Sequence, residues 1–189
     1  MPHPPFDPSR AVTFDLAKGQ VHLDGAPHRV LVPSEALAKL VASASAETRR
    51  EFARALGEPL GRRLASRLGD PKTATLQAVV EHLGGELALL GLGALSLERW
   101  GRALVFVVDG SPFGKEGDEL LAATLEAALA EATGRGPRCV VLDRTEARVR
   151  LLVVSETSAE KVRAWLEEGT SFGDVLARLH EVNGPRGEA

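Results

Sequence analysis

The sequence predicts an α+β fold in one compact domain, with a small strand extension at its start and amphipathic helices at its end. Three observations carry that prediction. Apolar residues alternate at a period of two around residues 11–32, 94–109 and 139–155. Between those stretches they recur at the i, i+3, i+4 spacing of helices. No linker long enough to divide the chain lies between Val30 and Leu179. Residues 1–10 and 183–189 are expected to be disordered, which leaves 11–182 as the domain.

Taken in order, Val12, Phe14 and Leu16 alternate with Thr13 and Asp15, Ala17-Lys18-Gly19 supplies a turn, and Val21 and Leu23 alternate again before Asp24-Gly25. A third apolar run, Val30-Leu31-Val32, ends at Pro33. Ser34 suits the N-cap of a helix carrying Leu37, Leu40 and Val41 on one face. Ser45 suits the cap of a second, with Phe52, Leu56, Leu60, Leu64 and Leu68. Pro59 predicts a kink or short break near Gly57, because proline cannot donate to the preceding turn. Asp70-Pro71 separates a third helix in which Leu76, Val79, Val80, Leu83 and Leu87 recur.

Residues 94–100 and 103–109 flank Gly101-Arg102, which reads as a tight hairpin. The spacing predicts a helix over 118–133, with Leu121, Leu125, Ala128 and Leu129 on its inner stripe, stopped by Gly134-Arg135-Gly136-Pro137. A second hairpin joins 139–143 to 147–155. There Val149, Leu151 and Val153 face one side and Arg148 and Arg150 begin the other, the pattern of a sheet with one wet face. Thr157 with Glu160, and Ser171 with Asp174, resemble capping boxes for two closing helices. Their apolar faces carry Val162, Trp165 and Leu166 in the first and Phe172, Val175, Leu176 and Leu179 in the second.

Composition narrows the function. With 26 acidic against 23 basic residues the net charge is −3, which lacks the basic footprint of a nucleic-acid binder. No run approaches the ~18 apolar residues of a membrane span, and the four prolines of the first ten residues leave no signal peptide. The single cysteine, Cys139, forms no intramolecular disulfide, so a reducing cytoplasm is expected. The preference for Arg over Lys, with abundant Ala and Leu, matches the coding bias of a high-GC bacterial genome.

No catalytic constellation emerges. His3, His22, His28, His82 and His180 lack metal-ligand spacing. Ser111 lacks the G-x-S-x-G register, and Gly110 to Lys115 is one residue short of a phosphate loop. Asp109, Asp118 and Glu119 read as caps and dipole partners. Neither an enzyme nor a cofactor is expected.

Gly57 and Gly61 are more informative, because two glycines one turn apart weaken a helix unless something approaches closely there. Tight helix packing, a cavity wall and a dimer seam all satisfy them. Cys139 suits an apolar filler or a pocket residue. Trp100 and Trp165 suit core rims, a pocket or an interface.

Three stretches, read in order, resemble the vinyl reductase domain, a small module named after 4-vinyl reductase and related to core subunits of the TRAPP tethering complex. They are Val32-Pro33-Ser34-Glu35-Ala36-Leu37, then residues 56–64 with Gly57, Pro59 and Gly61, then Gly91-Leu92-Gly93 running through Trp100-Gly101 into Leu104-Val105-Phe106. The resemblance spans about residues 31–155. It implies a four-stranded antiparallel sheet packed against a helical layer, dimerisation through helices, and a role in small-molecule sensing or in scaffolding. Reductase activity does not carry over, since no G-x-G-x-x-G follows a strand.

Two readings follow. In the first, a regulatory module holds a small apolar ligand between helices and sheet, near Leu56, Gly57, Leu60, Gly61, Trp100, Phe106 and Cys139, and signals through protein contacts as a homodimer. In the second, a constitutive adaptor without ligand presents Trp165, Leu166 and Phe172 to an unknown protein partner. A void of some hundreds of Å3 near Trp100 or Cys139 favours the first, and an exposed apolar patch the second.

Overall fold

The computed structural model describes residues 7–9, 11–69, 74–146 and 148–183. The expectations for 1–10 and for the tail after Asn183, and the break at Asp70-Pro71, fall largely or wholly outside those residues.

Three short strands come first: β1 (Val12–Asp15), β2 (Gln20–Leu23) and β3 (Ala26–Arg29), joined antiparallel in that order. The second hairpin turns at Asp24 and Gly25, both at positive φ (49° and 75°), the conformation that Asp-Gly adopts in a two-residue turn. The third strand lies four residues earlier than the Val30-Leu31-Val32 run expected to form it. That run instead crosses to the next element with its side chains exposed. Apolar character alone could not choose the register, because β3 is held by its ladder to β2 and by the turn before it.

Helix α1 (Ser34–Ser43) buries Val41, whereas Leu40, expected beside it, is 66% exposed. Helix α2 (Ala46–Leu68) starts where expected, with the Ser45 hydroxyl accepting from the Thr48 amide. It runs unbroken through Pro59, contrary to the expected interruption near Gly57. Helix α3 (Leu76–Leu89) is capped by Thr75. Its buried side includes Leu83 and Leu87, together with His82 and Glu86.

The main sheet has the order β4-β5-β7-β6, antiparallel throughout, from β4 (Ala94–Trp100), β5 (Ala103–Asp109), β6 (Arg138–Arg144) and β7 (Arg148–Val154). This is the four-stranded sheet expected, with α4 (Asp118–Thr133) packed beneath it. One face of β5 and β7, with Phe106, Val108, Val149 and Leu151, joins the core formed by α2, α3 and α4. The opposite face is divided. Val105, Val107, Val140 and Leu152 pack under α5 (Glu156–Glu167) and α6 (Phe172–Asn183). Beside them lies a lattice of ion pairs: Arg148 with Asp109, and Arg150 with Glu98 and Asp143.

The expectation of one wet face therefore holds only for the Arg148–Arg150 half. The other half is dry because the closing helices fold back over it. The first of them is capped by Ser155, which accepts from the Ser158 amide, and not by Thr157. The second has its cap at Ser171, as expected.

Helices α2 and α3 are pinned to each other by charge as well as by apolar packing. Glu86 is fully buried, and its carboxylate accepts from Arg63 Nε at 2.6 Å and pairs with Arg67 Nε at 3.2 Å. Asp24, in the turn of the small sheet, meets the same two arginines at 3.7 and 3.2 Å. The N-terminal hairpin is thereby tied to α2 and α3 through a four-member network.

Candidate functional site

The expected pocket residues fall in different parts of the fold. Gly57 and Gly61 lie where α2 crosses α4. A β-carbon on Gly57 would stand 2.4 Å from the Thr124 carbonyl oxygen, and one on Gly61 2.4 Å from that of Ala128. Tight helix packing is the reading that survives. Leu60 and Phe106 are buried in the inner core, Leu56 is half-buried, and none of the three lines the clefts beside Cys139 or His180.

Cys139 lies beside open space at one margin of the sheet; Trp100, at the other margin, lines none of the three clefts and bonds through its carbonyl to His180, which lines the smallest. Cys139 lines a cleft of about 670 Å3 between α4, β6 and α5. Its thiol is buried, and burial, aided by the nearby Glu126 carboxylate, pushes its pKa well above the ordinary thiol range. At the rim Asp118 is paired with the Arg144 guanidinium. Burial nevertheless raises its carboxyl pKa, because loss of hydration outweighs that attraction. Asp109 and Asp118 are thus committed to structural ion pairs.

The second cleft, of about 270 Å3, opens at the tip of the β4–β5 hairpin. Its apolar lining comes from Ala103, Val153, Val154 and Leu179, and its polar groups from Arg102, Ser155, Ser158 and His180. Two strand ends and two helices contribute, so short-range spacing carried no signal for it. Its position depends on Gly101, which turns the hairpin at φ +62° and leaves room for the imidazole; a β-carbon there would meet His180 Cε1 at 2.5 Å.

The His180 Nε2 lies 2.9 Å from the Trp100 carbonyl oxygen. A carbonyl only accepts, so in the neutral ring Nε2 carries the proton and Nδ1 is left as an acceptor. Trp100 itself, 42% exposed, stacks edge-on against Phe172 at 5.6 Å, and its indole N–H donates to Glu98 at 3.0 Å. Trp100 and Leu179 were legible from sequence as apolar positions. His180, 80 residues from its hydrogen-bond partner, was not.

The three expected anchors are partly exposed. Trp165, Leu166 and Phe172 are half-buried against the outer core, and the Arg178 guanidinium covers the Trp165 ring at 5.7 Å. Among the described residues, six of the seven exposed large apolar side chains instead belong to the N-terminal segment: Phe14, Leu16, Val30, Leu31, Val32 and Leu40. Among the described residues no group of His, Cys, Asp and Glu could hold a metal ion. No helix among them is long and apolar enough to cross a membrane.

No protein-family model and no curated protein matches the chain, so the resemblance to the vinyl reductase domain rests on its motifs alone. Among solved structures, the chain is similar to the phenol-responsive sensory domain of the transcription activator PoxR, crystallised with phenol. The two superpose with a TM-score of 0.59 over 82% of this chain and 92% of that one, at 13% sequence identity. The fold is shared with a sensory domain.

Proposed function

We propose that this chain is a non-enzymatic regulatory module that binds a small, largely apolar molecule bearing a hydroxyl group and passes on its occupancy through protein contacts, as a cytoplasmic homodimer. The observation that carries this reading is the fold, which is shared over most of both chains with a domain that responds to phenol. The motifs that resemble the vinyl reductase domain support it, and we take 11–182 as the whole module.

The ligand is assigned to the cleft beside His180. Its 270 Å3 suits a single-ring molecule, with Ala103, Val153 and Leu179 against the ring and the free His180 Nδ1 as acceptor for the hydroxyl. Phenol is the natural probe. Titration should give saturable binding by calorimetry and a change in the emission of Trp100. His180→Ala should weaken it about tenfold, the loss expected for one hydrogen bond. Absence of saturable binding up to millimolar phenol and related single-ring alcohols would overturn the assignment.

The exposed N-terminal apolar side chains favour a second reading, an adaptor without ligand that docks through residues 14–40. Native mass spectrometry separates the two. Mass lost on denaturation supports the sensor, and a ligand-free complex with another protein supports the adaptor.

A further inference from the structure

The main sheet ends in a strand with one unpaired edge. Strand β6 is the margin of the order β4-β5-β7-β6 and pairs only with β7. The Cys139 amide donates to Glu126 Oε1 at 2.8 Å, so it points away from β7. Backbone direction alternates along an antiparallel ladder, and Val141, two residues on, therefore also turns its N–H and C=O outward. A bulge between Val141 and Asp143 ends the regular edge there. The outward edge covers the first half of β6, about 13 Å for four extended residues; its Cys139 N–H is held by Glu126, which an added strand would displace, and the Cys139 C=O and the Val141 N–H and C=O are open.

This edge is the floor of the 670 Å3 cleft. Helix α4 forms one wall, with Glu119, Ala122 and Ala123, and α5 forms the other, with Glu160, Leu166 and Glu167. The cleft lining holds six carboxylates against four cations. Two of those cations, Arg138 and Arg163, are already engaged by Glu126 and Glu156. Glu119, Glu160 and Glu167 have no ion-pair partner among the described residues. A free edge is a template for another strand, and here its surroundings are acidic.

We propose that β6 is a docking site for an extended basic peptide segment, which adds to the sheet as a fifth strand between α4 and α5. Side chains of an extended strand alternate between faces. The segment therefore alternates basic residues, toward Glu160 and Glu167, with small apolar ones, toward Ala122 and Ala123. Helices flank the floor on both sides, which admits a single strand but obstructs the edge of a second copy with its own helices on both faces of the sheet. This inference stands apart from the small-molecule cleft, which lies at the ends of β5 and β7 and shares no lining residue with this one.

The test uses the whole chain and a capped hexapeptide of alternating lysine and valine, with alternating glutamate and valine as control, followed by amide NMR. The expected result is saturable binding of the lysine peptide, weakened by salt, with protection of the Val141 amide from exchange. Combining Glu160→Lys with Glu167→Lys, both at exposed positions, should cut that affinity at least tenfold and confer binding of the glutamate peptide. An unchanged melting temperature would show that the double variant is folded. The proposal is overturned by lack of binding at millimolar peptide, by equal binding of the acidic peptide, or by binding that leaves Val141 unprotected. It is also overturned if Val141 becomes protected by self-association of the chain without peptide.

Discussion

The carbonyl oxygen of Thr124 stands 2.4 Å from the point a β-carbon on Gly57 would occupy, closer than any carbon can approach it. Ala127 and Ala128 crowd the same point, and Gly61 meets Ala128 and Glu131 in the same way one turn later. The contact is backbone against side, so no rotamer change relieves it.

Gly57→Ala and Gly61→Ala are therefore expected to destabilise the protein by about 3 kcal/mol each, by forcing α2 away from α4. Helix propensity alone predicts the opposite sign, a gain of about 1 kcal/mol for each alanine. Urea denaturation of the two variants decides between them. A rise in midpoint would mean that the helices do not cross here.

Glu86 is the second point of expected fragility. Its carboxylate is fully buried between Arg63 and Arg67. Removing one member of a buried ion pair leaves the others uncompensated, and Glu86→Gln should cost about 3 kcal/mol. Asp24→Asn, at the more exposed end of the network, should cost under about 1 kcal/mol. Equal losses in thermal unfolding would show that the buried pair has no special weight.

Cys139 should be inert in the folded state. Burial holds it as a neutral thiol, and the thiolate is the reactive form. Labelling with a thiol reagent at pH 8 should proceed only as fast as the protein opens, and should become rapid in denaturant. Cys139→Ser should keep the fold while losing about 1–2 kcal/mol, the cost of a hydroxyl in an apolar site. Stoichiometric labelling within seconds would contradict the burial.

Glu98 predicts an acid-sensitive contact. The Trp100 indole N–H and the Arg150 guanidinium hold its carboxylate below the ordinary glutamate pKa. The folded state then binds the proton less readily than the unfolded one. The contribution to stability is full above about pH 4.3, the unfolded value, and is lost as pH falls through the lower folded value. In a Trp165→Phe background, Trp100 emission should change in that range, and Glu98→Gln should abolish the step. A step that persists in Glu98→Gln would assign it to another carboxyl.

Much of the architecture was legible because its causes are local. Alternation in residues 94–109 and 148–154 marked strands, Gly101 marked a tight turn, and Ser45 and Ser171 marked helix starts; each depends on groups within a few residues. The site was far less so. Cys139 could be named as a residue beside open space, but His180, Ser155 and Ser158 could not, since they meet Arg102 and Ala103 only after the outer helices fold back.

By itself the sequence determined the kind and order of elements and that each helix buries one face. Those outcomes follow from periodicity, caps and turns. The tertiary structure decided what each face is buried against. It placed α4 against Gly57 and Gly61 where a cavity or dimer seam was also compatible, dried half of the outer sheet, set one side of Trp165 and Phe172 against it, and left Val30, Leu31 and Val32 exposed. Apolar spacing specifies that a surface must leave water without naming its partner, and only competition among all such surfaces for one compact packing makes that choice.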